Sequence, residues 1–167
     1  FYTSGTTGRP KGVRSSATNA VMPVEMLELM GGSMAQMLGI PNTGRTFVCG
    51  PLYHSAQWAF SFLVLMTGSQ IVTRHRFDAA ESLALIDAHQ ITNVHLVPTQ
   101  FSRFLKLDAA VKESFKGASL QVVWHGAAPC PPMVKRQMIE WWGPIINEYY
   151  GSTEGSIVTT ATAEEWL

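Results

Sequence analysis

The segment LQVVWHGAAPCPPMVKRQMIEWWGPIINEYY, residues 120–150, decides the fold of this 167-residue chain. It opens with an apolar run, passes through a turn of small residues, and enters a helix whose first turn is set by Pro131 and Pro132. Gly143 stops that helix, and a second apolar run, 145–150, follows directly. Strand, helix and strand in this order predict two parallel strands joined by a helical crossover.

The same alternation continues toward the N-terminus. Further β-type runs lie at 46–49, 70–73 and 93–97. Helical patterns separate them, one of them capped by Asp78 with Glu81 at its third position and another beginning at Pro98. Because the strand runs are almost continuously apolar, we expect both of their faces to be covered. The sequence predicts an α/β fold with an open, mostly parallel sheet and helices on both faces.

Composition narrows the function classes. Lys plus Arg and Asp plus Glu both number 12, so the net charge is zero and a broad basic surface for nucleic acid or anionic lipid is excluded. Apolar residues make up 46%, which excludes a disordered chain. Charged residues make up only 14%, which predicts either a large core or a surface covered by protein beyond this sequence.

The cysteines indicate the cellular compartment of the protein, and the lengths of the apolar runs indicate whether it could span a membrane. Cys49 and Cys130 are too few for a disulfide framework and lack zinc-site spacing, so we expect free thiols in a reducing, cytoplasmic compartment. The longest apolar run, around 58–66, is shorter than the ~20 residues that a membrane span requires. We therefore expect no integral membrane segment.

Hydroxyl residues and glycines crowd the N-terminal segment, followed by a lysine. The segment is Tyr2, Thr3, Ser4, Gly5, Thr6, Thr7, Gly8, Arg9, Pro10, Lys11 and Gly12. Glycines let backbone N–H groups turn toward one centre, hydroxyls add donors, and Lys11 adds a mobile positive charge. This chemistry suits a polyphosphate. The segment is not the P-loop of nucleoside triphosphatases, because no Ser or Thr follows Lys11.

A second polar segment follows the last predicted strand. It contains Tyr149, Tyr150, Gly151, Ser152, Thr153, Glu154 and Gly155. Tyr150 offers a face on which a purine can stack, and Thr153 offers a donor to a phosphate. Glu154 offers carboxylate oxygens, the ligand type that a hard cation such as magnesium prefers.

Two more turns lie at predicted strand ends. In one, Gly126, Ala127 and Ala128 are small enough for a bound ligand to approach the backbone closely. The other, PLYHS at 51–55, places His54 after a strand, where an isolated histidine is more often structural than catalytic.

Together the four segments, in this order, resemble the signature motifs of the adenylate-forming (AMP-binding) enzymes. That superfamily includes acyl-CoA synthetases, peptide-synthetase adenylation domains and firefly-type luciferases. The resemblance implies ATP-dependent activation of a carboxylic acid to an acyl-adenylate, followed by thioester formation with coenzyme A. The 51–55 segment resembles acyl-CoA synthetases in particular, and the expected substrate is an apolar acid (fatty, aromatic or sterol-derived), with a place in fatty acid and lipid metabolism.

The resemblance also implies catalytic and nucleotide-binding roles for individual residues. Catalytic roles fall to Lys11, His54, Thr153 and Glu154, with Glu154 also holding Mg²⁺. Nucleotide binding falls to Thr3, Ser4, Gly5, Thr6, Thr7, Gly8, Lys11, Gly126, Ala127, Ala128, Tyr149, Tyr150, Gly151, Ser152 and Thr153. The partners implied are a small-molecule carboxylic acid, ATP and coenzyme A. Cys130 departs from the family pattern, and we expect it to reshape the acyl pocket.

The resemblance bears on domain organisation as well. The family's ribose-binding acidic residue, hinge and C-terminal lysine lie downstream of the second segment. Residues 1–167 are therefore expected to form the central portion of the large N-terminal domain, with the C-terminal domain absent. We expect the 167 residues alone to be inactive.

Other interpretations remain open. A non-catalytic nucleotide-binding module, a peptide-synthetase-type adenylation domain and a luciferase-like oxygenase share the same motifs, whereas a kinase or P-loop ATPase fits Lys11 poorly. Away from the motifs we expect structural roles. His75, His89 and His95 are expected to be structural histidines, Trp58 a core aromatic residue, and the stripe from Met26 to Leu38 helix packing.

Overall fold

The computed structural model describes residues 2–3, 9–13, 23–154 and 156–167. Two short strands, β1 (Tyr2–Thr3) and β2 (Lys11–Gly12), pair antiparallel with Thr3 opposite Lys11. The predicted phosphate-binding residues Ser4 to Gly8 lie outside the described residues, as does Gly155.

A six-stranded mixed sheet forms the centre of the molecule. Its strands are β3 (Arg45–Val48), β4 (Gln70–Thr73), β5 (Asn93–Leu96), β6 (Val122–His125), β7 (Ile146–Ser152) and β8 (Ser156–Ala161). Their order is β4-β3-β5-β6-β7-β8, and all neighbours are parallel except β7 and β8, which form an antiparallel hairpin. The predicted open, mostly parallel sheet is confirmed.

Helices cover both faces of the sheet. They are α1 (Val24–Met37), α2 (Ser55–Met66), α3 (Ala79–Ala88), α4 (Pro98–Leu105), α5 (Ala109–Ser114), α6 (Pro132–Trp142) and α7 (Ala163–Trp166). The apolar residues of α1 and α2 pack on one face, and those of α3, α4 and α6 pack on the other. The buried runs of β5 and β6 are thus explained by cover from both sides. No helix in the described part of the chain combines the length and apolar character needed to cross a bilayer.

Local sequence signals fix the helix ends. The Asp78 carboxylate accepts a hydrogen bond from the Glu81 backbone N–H at 2.9 Å and caps α3, as predicted. Gly143 adopts φ = 88° directly after α6, a conformation that a residue with a Cβ rarely takes.

Some burial predictions are wrong. Trp58 was expected in the core, but it is 42% exposed and stacks on Phe62 with ring centroids 4.9 Å apart. Met30 and Met37 on α1 are also exposed, whereas Met34 lines a cavity. Helical spacing identifies which residues share a face, but it does not show whether another element covers that face.

The strand order places a crevice beside β3. From β3 the chain moves to β4 on one side, then crosses back to β5 on the other side and continues outward. The helix after β3, α2, lies on one face of the sheet, and the helix after β5, α4, lies on the opposite face. The carboxyl ends of β3 and β5 therefore diverge at a topological switch point, the usual ligand position in open α/β sheets.

Candidate active site

A cleft of about 810 Å³ occupies this switch point. The segments after β3, β4 and β5 form its walls, and Ala127 and Thr153 reach it from the turns after β6 and β7. Residues that follow each of the five parallel strands thus reach one cavity. The predicted site residues His54, Ala127 and Thr153 meet here, although they are far apart in sequence.

Cationic side chains line the mouth of the cleft. Arg74 and Arg76 follow β4, and Arg103 projects from α4. Arg74 forms an ion pair with Glu81, and the Arg103 guanidinium lies 5.9 Å from the centre of the Phe77 ring. No Asp or Glu lines this cleft among the described residues. The cleft therefore favours anionic reactants.

A second, smaller cavity of about 310 Å³ lies between α1, α2 and the β7–β8 hairpin. Its apolar lining comes from Met34, Leu38, Ala59, Phe60, Leu63 and Ile157. We call it the apolar chamber. Its lining also includes the predicted site residues Tyr149, Gly151 and Ser152. No charged side chain is among the described residues that line the chamber, so it suits an apolar group.

The cleft and the apolar chamber share a wall. Ser55, Ala56, Ala127 and Thr153 line both cavities. The Ser55 and Thr153 hydroxyl oxygens are 3.3 Å apart across this wall, within hydrogen-bond distance. Thr153 thus lines both the cleft and the apolar chamber.

Buried polar side chains connect the two cavities beneath that wall. His95, on β5, has its Nδ1 3.0 Å from Gln57 Nε2 and its Nε2 3.0 Å from the Tyr149 hydroxyl. Burial lowers the pKa of His95 to about 3, with a smaller contribution from His125. The imidazole is therefore neutral at physiological pH. Burial also raises the pKa of Tyr149 to about 12, which keeps its hydroxyl protonated.

Gln100 and Cys49 complete the floor of the cleft. The Gln100 side-chain oxygen accepts from the Val97 backbone N–H at 2.8 Å, and its amide nitrogen donates to Cys49 Sγ at 3.4 Å. Burial raises the pKa of Cys49 to about 12, despite hydrogen bonds that favour the thiolate. Cys49 is a structural thiol rather than a nucleophile.

A partly buried ion pair lies behind β6 and β7. Lys135, on α6, is completely buried, and its Nζ donates to Glu148 Oε2 at 2.8 Å. His125 Nε2 lies 3.8 Å from the same carboxylate oxygen. Burial lowers the pKa of His125 to about 4, although Glu148 acts in the opposite direction. Neither His125 nitrogen has a hydrogen-bond partner among the described residues.

The ring of Tyr149 requires a glycine directly after β6. A Cβ added to Gly126 would lie 2.5 Å from Tyr149 Cζ. Ala127 adopts φ = 67°, which turns the chain sharply at the wall shared by the cavities. Tyr150, by contrast, is 71% exposed, with an accessible ring face.

The remaining predicted site residues are distributed as follows. Lys11 is exposed on β2, and only the backbone of Thr3 is described. Glu154 is exposed in the turn after β7, and Gly126, Ala128 and Tyr150 line neither cavity.

The expectation for Cys130 is not supported. Its thiol lines neither cavity, and its pKa is raised to about 11 by burial and by Glu148, which places it near the partly buried ion pair. Within the described ranges, no three His, Cys, Asp or Glu side chains converge on a metal position.

Sequence reasoning missed several residues of the site. The floor of the cleft is formed by Gln57, His95 and Gln100. Its mouth is lined by Arg74 and Arg103. One signal was present, because a histidine inside an otherwise apolar strand run must find buried hydrogen-bond partners. Which partners it finds depends on the packing of α2 and β7, and no spacing rule gives that packing.

Comparisons with known proteins agree with this geometry. The chain is 32% identical over 163 residues to medium/long-chain-fatty-acid–CoA ligase FadD8 of Mycobacterium tuberculosis, covering 98% of this chain and 27% of that protein. It therefore spans less than a third of that relative's length.

Two solved structures share the fold. O-succinylbenzoate coenzyme A synthetase (MenE) of Bacillus subtilis, in complex with ATP and magnesium ion, superimposes with a TM-score of 0.74 at 28% identity, covering 98% of this chain and 32% of that one. The amide bond synthetase McbA of Marinactinospora thermotolerans gives a TM-score of 0.82 at 25% identity, covering 99% of this chain and 31% of that one.

The family model described as AMP-binding enzyme matches residues 1–166, nearly the whole chain. This match agrees with the mixed sheet, with the cavities at its carboxyl edge and with the four sequence segments. The chain belongs to the AMP-binding enzyme family.

Proposed function

We propose that this chain is the central part of the large N-terminal domain of an acyl-CoA synthetase. The enzyme activates a carboxylic acid with ATP to an acyl-adenylate and then transfers the acyl group to the thiol of coenzyme A. The relative FadD8 is named as a CoA ligase, and MenE is a coenzyme A synthetase observed with ATP and magnesium ion. Both names support this assignment.

One structural observation carries the proposal: Thr153 lies on the wall shared by the cationic cleft and the apolar chamber. Acid activation has to bring a polyanion and an apolar tail together at one carboxylate. The apolar chamber suits the tail, and the arginines at the mouth of the cleft suit phosphates. The reacting carboxylate would then lie beside Thr153.

The first step forms a bond between a carboxylate oxygen and the α-phosphorus and breaks the bond to pyrophosphate. An anion attacks an anion, so the site must neutralise charge. We assign this role to Lys11, to the hydroxyl of Thr153 and to donors from Thr3 to Gly8. Glu154 is an exposed carboxylate next to Thr153, and it suits a cation that the ATP phosphates also hold. Bound Mg²⁺ would supply further charge neutralisation.

In the second step the thiol sulfur attacks the acyl carbon, and AMP departs. The thiol proton passes to a base or to water. His54 lines the cleft and is exposed, so it can contact a reactant entering from the arginine-lined mouth. We assign Gly126, Ala127, Ala128 and the segment Tyr149 to Ser152 to adenine and acyl binding, with Tyr150 stacking on the base.

Both described cysteines are free, which supports a reducing, cytoplasmic location. We also propose that the ribose-binding acidic residue and the mobile lysine of the family lie in protein beyond this sequence. The test below therefore uses the full-length protein that contains the chain.

The experiment measures acid-dependent exchange of labelled pyrophosphate into ATP across a panel of carboxylic acids. Thr153→Val removes the shared-wall hydroxyl, and the exposed Thr159→Val on β8 is the matched control. Loss of a hydrogen bond to a charged group is worth ~1.5–3 kcal/mol, so we expect exchange to fall about 10- to 100-fold for Thr153→Val only.

The products separate the remaining functions. AMP and an acyl-CoA support the proposal. ATP binding without pyrophosphate release for any acid would indicate a non-catalytic nucleotide-binding module, and ADP would indicate a kinase. An adenylate that reacts with amines but not with coenzyme A would indicate an amide synthetase, the activity named for McbA.

A further inference from the structure

The hydrogen bond between His95 and Tyr149 lies where the floor of the cleft meets the apolar chamber. His95 lines the cleft, and Tyr149 lines the chamber. His95 is almost fully buried and also contacts the ring of Phe60, with centroids 4.7 Å apart. The family motifs account for Tyr149 only as one member of a segment and do not account for His95.

Geometry fixes the direction of each hydrogen bond in this group. Gln57 Nε2 lies 3.2 Å from the backbone carbonyl oxygen of His95, which can only accept. The Gln57 atom at this position must therefore be the amide nitrogen, and its second N–H points to His95 Nδ1 at 3.0 Å. Nδ1 then accepts, so the proton of the neutral imidazole is on Nε2.

This tautomer determines what the tyrosine hydroxyl does. His95 Nε2–H donates to the Tyr149 oxygen at 3.0 Å, so the proton of Tyr149 itself remains to be donated elsewhere. Within the described part of the chain, the hydrogen bond from His95 is the one that the structure gives this hydroxyl. A hydroxyl proton without an acceptor beside apolar residues is unfavourable, so a ligand that offers an acceptor is favoured at this position.

The position of the ring is fixed as well. Tyr149 packs directly over Gly126, whose missing Cβ gives the ring its space. The hydroxyl is therefore an oriented donor on the wall of the apolar chamber. Such a donor discriminates between ligands with and without an acceptor, because its own unpaired state is unfavourable.

We infer that Tyr149, oriented by Gln57 and His95, selects acids whose acyl portion carries a hydrogen-bond acceptor, such as a ketone or hydroxyl oxygen, over plain hydrocarbon acids. This inference rests on the proposed function and specifies its substrate class. Tyr149 makes the contact, whereas His95 and Gln57 are positioning residues.

The test compares acids by pyrophosphate exchange in the full-length protein. The probes are alkanoic acids of one chain length in which a ketone is moved along the chain, together with the parent acid. We expect wild-type kcat/KM to peak at one ketone position. For Tyr149→Phe, the ratio of the best oxo-acid to the parent acid should fall about five- to tenfold, as expected for one hydrogen bond. A ratio cancels any general effect on adenylation.

Three further variants separate positioning from simple structural roles. His95→Leu should flatten the same ratio, and His95→Gln, which retains an N–H donor, should restore part of it. Tyr53→Phe, at an exposed tyrosine that lines neither cavity, should leave the ratio unchanged.

A wild-type enzyme with no preference for any oxo-acid over the parent acid would overturn the inference, even if no variant folds. A ratio that survives Tyr149→Phe would overturn it too. Failure of every acid to release pyrophosphate would instead refute the proposed function.

Discussion

Replacing Gly126 with alanine should destabilise the protein through one identifiable contact. The added Cβ would lie 2.5, 2.6 and 2.9 Å from the Cζ, Cε1 and Cε2 atoms of Tyr149. Carbon atoms pack at about 3.5–4.0 Å, so the ring would have to move by about 1 Å. Gly126 is not among the glycines with positive φ, so its backbone suits alanine and the cost comes from the ring alone.

The magnitude follows from two terms. Overpacking costs ~1–3 kcal/mol. A shift of about 1 Å would also break the 3.0 Å hydrogen bond from His95, which contributes ~0.5–1.5 kcal/mol. We therefore expect the free energy of unfolding to fall by about 2–4 kcal/mol, measured by urea and thermal unfolding.

Two companion variants isolate the contact. Gly32→Ala is the control, because its added Cβ meets no atom within 4 Å inside α1 and alanine favours the helix by up to ~1 kcal/mol. In the background of Tyr149→Ala, Gly126→Ala should cost nothing further. A Gly126→Ala protein as stable as the wild type would refute the steric reasoning, as would an equal cost in both backgrounds.

Three other perturbations test separate features. Lys135→Met should lower the free energy of unfolding by about 1–3 kcal/mol, because it leaves the half-buried Glu148 carboxylate unpaired. Adding Glu148→Gln to Lys135→Met should restore much of this free energy. A double-mutant cycle that shows no coupling between the two positions would contradict the ion pair. His95 and His125 have pKa values lowered to about 3 and 4, so the unfolded chain takes up protons first as the pH falls below about 6.5. Stability should then fall by up to ~1.4 kcal/mol per pH unit per histidine between pH 6.5 and 4, and a flat profile in chemical denaturation would show that the histidines are not buried neutral. Glu154→Ala should raise the magnesium concentration needed for half-maximal exchange, and an unchanged requirement would remove Glu154 from metal binding.

Much of the fold was predictable because local signals determine it. The cap of α3 by Asp78, the stop of α6 at Gly143 and the continuous apolar strands each depend on neighbouring residues only. β8 was not predicted, although Ile157 to Thr160 is rich in β-branched residues, because the polar segment before it was placed after the last strand. The structure instead extends β7 to Ser152 and pairs it with β8, with a register shift at Tyr150 and Gly151.

The site was predictable where its residues lie in contiguous segments. Thr153 and His54 were predicted that way, and the structure brings both to one cleft, while their roles stay predictions. The contact of His95 with Gln57 and Tyr149 joins three elements separated by 38 and 54 positions, and such a contact arises only from tertiary packing. The role predicted for residues 4–8 stays a prediction.

The exposed apolar side chains of α1 and α2 affect how the chain can be handled. Val24, Leu29, Met37, Trp58 and Leu65 each have at least two fifths of their surface in water. A recombinant preparation limited to these 167 residues would tend to self-associate and to adsorb to resins and plastic. Light scattering in mild detergent should therefore precede any turnover assay on it, because a rate measured on an aggregated sample would not describe the folded protein.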